Sequence, residues 1–280
     1  MGHIFLLVGI PVLALVSYGA FKLHRVLHGS SNYDTVPPES PLGLKDPAIL
    51  VFSKTNGYRH VDAIGGATVA ISSIVEDQGL SVLFTENGAA FHPEYLSRFR
   101  ATVWNNTSGD VLNAAQKDAF RSYIENGGGF VGLHGAGGDF RYAWRWYVET
   151  LIGAQFSGHT LFPQTPRATV RIETRNDPAT KDMPGEWLRS DEWYSFDKSP
   201  RSNGATVLAT VDETTYSPRM AVKNIRMGPD HPVVWKHQVG RGRAFYSALG
   251  HTADSYHDPN YVALLKGAIV WAARLERDGS

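Results

Sequence analysis

The chemistry this sequence offers lies in its histidines and in one carboxylate pair. The chain has 280 residues and 11 histidines. His3, His24 and His28 precede the globular part, and His60, His92, His134, His159, His231, His237, His251 and His257 lie within it. A neutral imidazole serves as a base or metal ligand near neutral pH, and its protonated form as an acid. His134 stands in Gly132-Leu133-His134-Gly135-Ala136, where an apolar run meets small residues. That pattern reads as a strand ending in a sharp turn, the place where many α/β enzymes hold up a reactive side chain. His251 follows Tyr246-Ser247-Ala248-Leu249 and repeats the same context, and His159 sits in Gly158-His159-Thr160. His60 closes the polar stretch that begins at Lys54. His237 falls in an apparent hairpin strand and reads as sheet packing. His231, before a proline, reads as solvated, and His92 and His257 read as loop residues.

Asp191-Glu192 precedes Trp193-Tyr194. Carboxylates beside bulky aromatics suit a site where burial tunes a pKa, and they can orient a histidine or join a metal site. The two aromatic residues have apolar faces and polar tips, which suits them to stack on sugar rings. Several histidines with one carboxylate form a donor set for a divalent metal, with His134, His159, His251 and Glu192 as the ligands. No compact HExxH-type spacing is present. The glycine run at 127–129 precedes a strand rather than following one, so it is no dinucleotide fingerprint. The chain has no cysteine, which excludes disulfides, thiolate metal sites and cysteine nucleophiles.

These residues need a scaffold, and hydrophobic patterning supplies one. Ala48 to Ser53 is a continuous apolar run, as in a strand buried on both faces. Helical spacing follows over His60 to Gln78, then a strand from Leu80 to Phe84 and a short helix from Pro93 to Phe99. A third strand covers Ala101 to Trp104, a helix Leu112 to Glu125, and a fourth strand Phe130 to Leu133. This alternation predicts an α/β fold, an open and mostly parallel sheet with helices on both faces. Beyond Leu161 the pattern changes to extra strands at Thr169 to Glu173 and Thr206 to Ala209. A hairpin joins Val233–His237 to Ala244–Ala248, and a closing helix covers Asn260 to Leu275. Ligands of such sheets bind beyond the carboxyl ends of the strands. That rule gathers Lys54, Arg59, His60, Asn105 and His134 on one rim.

Ile4 to Phe21 carries no charge, and its length is close to the ~20 residues that span a bilayer. A cleavable signal peptide fits less well, because no side-chain charge precedes the run and Tyr18 is bulky for a cleavage site. The expected organisation is a single membrane-anchoring helix within residues 1–28, a Pro/Ser/Gly-rich linker over 29–47 and one domain over 48–275. Lys22 and Arg25 would place that domain in the cytoplasm by the positive-inside rule. The absence of cysteine tips the reading toward an extracytoplasmic domain. Lys+Arg and Asp+Glu both number 27, and this balance argues against a nucleic-acid binder.

From about Ala48 to Arg274 the chain resembles the ThuA-like (trehalose utilisation) family, whose fold is similar to the class I glutamine amidotransferase domain. The resemblance rests on Ser53-Lys54-Thr55 with Gly57-Tyr58-Arg59-His60, on Gly132-Leu133-His134, and on Trp144, Tyr147 and Leu151-Ile152-Gly153-Ala154 with Phe156 and His159. It extends through Asp191-Glu192-Trp193-Tyr194, Pro232-Val233-Val234-Trp235 with His237, and Leu249-Gly250-His251-Thr252. Family members tend to carry an aspartate directly after the arginine–histidine pair; here Val61 stands there and Asp62 follows.

The amidotransferase-like fold places a cysteine at the elbow where this chain has His134, so thiol-based glutamine hydrolysis is excluded. The resemblance implies a small carbohydrate substrate, specifically a disaccharide or glycoside oxidised to a 3-keto sugar. Expected chemistry is proton abstraction beside the keto group, followed by elimination, hydrolysis or isomerisation. His134 is the expected base and Glu192 or His159 the acid partner. Arg59 or a histidine-bound metal is the expected electrophile. Lys54, Arg59, His60, Asn105, Trp193, Tyr194 and His251 are the expected substrate contacts. Competing readings are a membrane-anchored carbohydrate-binding module without catalysis and a metal-dependent hydrolase of another substrate. Oligomeric state is left open.

Overall fold

The computed structural model describes residues 32–39, 43–140 and 142–276. The membrane anchor expected within residues 1–28 lies outside them. Among the described residues no helix is long and apolar enough to cross a membrane.

The N-terminal half alternates as its patterning predicts. Strand β1 (Ala48–Phe52) leads to helix α1 (Val61–Asp77), β2 (Ser81–Thr85), the short α2 (Pro93–Leu96), β3 (Ala101–Asn105), α3 (Ala114–Glu125) and β4 (Gly129–Leu133). β1, β3 and β4 are buried along their whole length. Their unbroken apolar character follows from cover on both faces. Gly129 faces the backbone of Ala272 in α4 (Pro259–Ala272), while the next residue, Phe130, packs on Phe120 of α3. Successive strand residues point to opposite faces, so α4 and α3 lie on opposite sides of the sheet.

α1 buries Ala63, Ile64, Ala67, Ala70, Ile71, Ile74 and Val75, one stripe at helical spacing. α3 opens on a capping box in which Asn113 and Gln116 satisfy each other's backbone N–H groups.

The second half adds β5 (Phe156–His159), β6 (Arg167–Ile172), β7 (Glu186–Ser190), β8 (Tyr194–Phe196) and β9 (Thr206–Val211). It continues with β10 (Arg219–Met220), β11 (Lys223–Asn224), β12 (Pro232–Val239) and β13 (Gly242–Ser247). The main sheet has nine strands in the order β2-β1-β3-β4-β13-β12-β9-β6-β7. β2, β1, β3, β4 and β13 are parallel; the other four extend the sheet antiparallel from β13. The expected parallel sheet with extra C-terminal strands is therefore present. β5 and β8 pair separately.

A π-helical turn over Trp146–Ile152, ended by left-handed Gly153, has no counterpart in the sequence pattern. Chain order reverses at β1, with β2 on one side and β3 on the other, so the loops after β1 and β3 flank the crevice where such sheets bind ligands.

Residues 32–36, from the segment expected to be a linker, bond to the loops along this edge. Asn56 Nδ2 donates to Asn32 O (3.1 Å) and the Tyr33 hydroxyl to Asp110 Oδ2 (2.8 Å). Asp34 pairs with Lys54 and accepts the Gly88 N–H (2.7 Å), while Gln116 Nε2 donates to Asp34 O (2.7 Å).

Candidate functional site

His134 occupies the turn that ends β4, with φ +42°. Left-handed backbone is uncommon outside glycine, and such a residue persists only where its surroundings fix it. Here they do. The His134 Nδ1–H donates to Ala248 O (2.7 Å), and the Tyr246 hydroxyl donates to His134 O (2.8 Å). With Nδ1 committed as a donor, the lone pair sits on Nε2. That atom stands 3.1 Å from His251 Nδ1 and 3.3 Å from Glu192 Oε2, and His251 Nδ1 is 3.2 Å from the same Oε2. The His60 ring completes the group, 4.8 Å from the His134 ring and 5.1 Å from that of His251 between centroids.

Ligand-capable atoms of His60, His134, Glu192 and His251 all lie within 4.8 Å of one another. Donor atoms about 2.0–2.2 Å from a tetrahedral zinc stand about 3.3–3.6 Å apart, a few tenths of an ångström wider than the 3.1–3.3 Å between His134, His251 and Glu192. Three imidazoles and a carboxylate suit zinc or another first-row divalent ion. The set differs by one member from the sequence expectation: His60 is in it and His159 is not.

His159 sits on the other oxygen of Glu192. Its Nδ1 is 3.0 Å from Glu192 Oε1 and 2.8 Å from Thr160 O, and Gln164 Nε2 donates to the same Oε1 at 2.6 Å. The His159 side chain is 25% exposed against 3% for Glu192, so it is the solvent-facing member.

Electrostatics follow from this packing. Burial alone would raise the Glu192 pKa, but the adjoining imidazoles of His134, His159 and His251 outweigh it and hold the carboxyl well below the usual range. Burial, with the neighbouring His134 and His251, pushes His60 well below the ordinary histidine value. Burial opposes a charge on His159, yet its bond to Glu192 raises its pKa.

Tyr194 joins the site, its ring 4.2 Å from that of His134. Trp193 turns the other way into the core, fully buried with Nε1 donating to Pro166 O (2.8 Å). Other rim residues are engaged outside the cluster. Lys54 pairs with Asp34, Arg59 with Glu86 (2.6 Å), and Asn105 Nδ2 donates to Ile64 O at 3.1 Å. His231 is not solvated as expected from its proline neighbour. It is fully buried, with Nε2 donating to Tyr194 O (2.8 Å) and Nδ1 2.8 Å from Glu213 Oε1. His237 lies in β12, bonded to Thr150 O.

One supporting residue, Gln164, carries no signal in the sequence. Asn106 stands with Asn105 and Thr107 among the polar residues that close the third strand and belong to the expected rim, and Tyr246 lies in a strand stretch, Phe245-Tyr246, that also carries the family resemblance. Asn106 has φ +53°, and its Nδ2 donates to the Tyr256 hydroxyl at 3.2 Å.

Comparison with known proteins agrees with this picture. The family model described as ThuA, trehalose utilisation, matches residues 48–272. A ThuA-like protein from Bacteroides uniformis shares 25% identity with a TM-score of 0.70, over 84% of this chain and 94% of that one. A ThuA-like protein from Parabacteroides merdae shares 20% identity with a TM-score of 0.60, over 84% and 93%. A β-galactosidase from Rahnella sp. R3 shares the fold over 84% of this chain but only 32% of its own, at 14% identity and a TM-score of 0.52. No curated protein sequence matches. The match covers most of the chain, including every residue of the histidine cluster, and the chain belongs to the ThuA (trehalose utilisation) family.

Proposed function

We propose that this protein acts on glycosides carrying a 3-keto group, by removing the proton at the neighbouring C2. The family supports a carbohydrate-related role. The observation that carries the finer reading is the division of labour around Glu192. One oxygen faces His134 and His251, and the other faces His159.

A divalent ion held by His60, His134, Glu192 and His251 would supply positive charge to an oxygen that becomes anionic as the C2–H bond breaks. In this assignment His134 is a ligand rather than the base, because Nδ1 is tied to Ala248 and Nε2 faces the cluster. His159 is the proton-transfer group. Glu192 orients its ring from one side, in the manner of a carboxylate behind a catalytic histidine. His159 Nε2 makes no hydrogen bond among the described residues. His159 takes the C2 proton, the C–H electron pair becomes the C1=C2 double bond, and the C1–O bond breaks. The leaving oxygen then receives a proton from the histidine. Return of the proton to carbon instead would isomerise the sugar. Glu192, held strongly ionised, orients His159 and does not donate a proton.

The test incubates the full-length chain with a 3-keto disaccharide, a phenyl 3-keto glucoside and their unoxidised parents, with and without chelator, followed by mass spectrometry. Consumption of keto sugar alone, lost on chelation, is the expected result. No change in either keto sugar overturns the proposal.

A further inference from the structure

Glu192 divides its two oxygens between different neighbours, and the division is fixed from outside the metal-facing cluster. Gln164 Nε2 stands 2.6 Å from Oε1, and His159 Nδ1 stands 3.0 Å from the same atom. Oε2 instead has His134 Nε2 at 3.3 Å and His251 Nδ1 at 3.2 Å. An ionised carboxylate only accepts, and it offers about four lone-pair sites shared equally by its oxygens. The Gln164 amide therefore presents its NH₂ group to Oε1. His159 presents its Nδ1–H, shared with Thr160 O at 2.8 Å. These two donors engage both lone-pair sites of Oε1. Oε2 keeps its own for a ligand, and it is the oxygen that faces the nitrogens of the cluster.

The backbone places Gln164 for this contact. Thr160 Oγ1 donates to Gln164 O at 2.6 Å and accepts the Trp193 N–H at 3.1 Å. The Thr160 N–H donates to Trp193 O at 3.1 Å. The loop from Thr160 to Gln164 is thus closed on itself and stitched to the residue that follows Glu192. His159 precedes this loop and Gln164 ends it, so both of its feet stand on Oε1. Gln164 lies at the surface, whereas the Glu192 side chain is buried. Its amide reaches inward to a carboxylate that solvent does not.

We propose that Gln164 is a positioning residue that restricts Glu192 to one metal-facing oxygen. The proposal rests on the metal part of the reading above and not on its sugar chemistry. With Oε1 engaged, His60, His134, Glu192 and His251 offer an ion one donor atom each. An ion that accepts further donors then keeps a position for a substrate oxygen. Were Oε1 released, the carboxylate would be free to bind through both oxygens and close that position.

The test loads the full-length chain with Co²⁺, whose visible absorption weakens as its coordination number rises. The loaded protein is then titrated with azide, a small anion that takes an open metal position. Gln164→Met keeps the length of the side chain, removes the donor and holds water away from Oε1. At saturating Co²⁺ the unaltered chain is expected to change its spectrum as azide is added. Gln164→Met is expected to absorb more weakly and to bind azide at least about tenfold less tightly, the lower end of what loss of such a partner costs. An unaltered spectrum and azide affinity in saturated Gln164→Met overturn the proposal, even if more Co²⁺ is needed to saturate it. Absence of any azide response in the unaltered chain overturns it as well. Co²⁺ uptake without consumption of either keto sugar removes the sugar chemistry and leaves the Gln164 assignment to be decided by the spectra alone. If the unaltered chain takes up no Co²⁺, the metal reading and this proposal fall together.

Discussion

Asp191 accepts the backbone N–H of His251 at 3.1 Å through Oδ1 and that of Gly250 at 2.9 Å through Oδ2. The same carboxylate accepts the N–H of Glu192 (2.9 Å) and bonds to Arg189 Nη2 (2.7 Å). One buried side chain therefore ties the segment after β7, which carries Glu192, to the segment after β13, which carries His251. Arg189 is held in turn by the Ser255 hydroxyl (2.8 Å) and by the faces of Trp187 and Tyr261, 4.2 and 4.9 Å from its guanidinium carbon. A buried ion pair is a poor source of stability by itself. This one spends its acceptor capacity on the backbone that aims two members of the cluster.

Asp191→Asn leaves the Arg189 charge uncompensated and replaces one acceptor oxygen with a donor. Breaking such a pair costs about 3–5 kcal/mol, so the variant should unfold at lower denaturant concentration. Support of this kind typically changes metal affinity about 10–100-fold. Zinc competition titrations, run well below the melting temperature of the variant, should show a loss in that range. Unchanged zinc affinity in the folded variant would reduce Asp191 to a purely structural residue.

The cluster and His159 should separate in a paired experiment. His60→Ala and His251→Ala each remove a donor, and both should weaken zinc binding. His159→Ala leaves the donor set intact and removes the proton-transfer group. It should bind zinc nearly as the unaltered chain does and lose about 10²–10⁴-fold in turnover. Weak zinc binding by His159→Ala would place His159 among the ligands, as the sequence pattern alone suggests.

The sequence carries the parallel half of the fold well and the antiparallel half less well. β1, β3 and β4 are legible because burial on both faces leaves an unbroken apolar run. His134 is legible because small residues must surround a tight turn. The union of His60, His134, Glu192 and His251 is not written in any local spacing. It depends on β13 returning beside β4 and on the segment after β7 crossing to meet it, both long-range pairings.

Two departures from the sequence expectations have equally local causes. Trp193 and Tyr194 read together as sugar-facing aromatics, but neighbours in extended chain point to opposite sides. Only Tyr194 reaches the site. His231 reads as solvated from the proline beside it. Its partners, Glu213 and the Tyr194 carbonyl, are distant in sequence.

Two glycines give opposite expectations for the same substitution. A Cβ on Gly137 would stand 2.6 Å from the Tyr246 ring, whose hydroxyl holds the His134 carbonyl. Gly137→Ala should cost about 1–3 kcal/mol by overpacking and should weaken zinc binding by displacing His134. Gly65 lies exposed within α1, and a Cβ added there would meet nothing within 4 Å. Gly65→Ala should stabilise the helix by about 1 kcal/mol and leave zinc binding alone. Denaturant melts of the two variants side by side provide the check.

Glu213 supplies the pH dependence. Burial works to raise its pKa, but the bond to His231 and the N–H groups of Met227 and Gly228 (2.6 and 3.1 Å) bring it below the ordinary value of 4.5. A carboxyl depressed in the folded state binds its proton more readily when unfolded. Its contribution is therefore complete above the unfolded value and disappears as pH falls through the lower folded value. Glu213→Gln should destabilise the protein by about 1.5–3 kcal/mol at neutral pH, the range for hydrogen bonds to a charged group. The gap between the two proteins should narrow as pH drops below 4.5. Because His231 also bonds to the Tyr194 carbonyl, the variant should loosen Tyr194 against His134, visible as faster amide exchange in β8. A stability gap that stays constant from neutral pH down to the acid limit would show that Glu213 does not act through its charge.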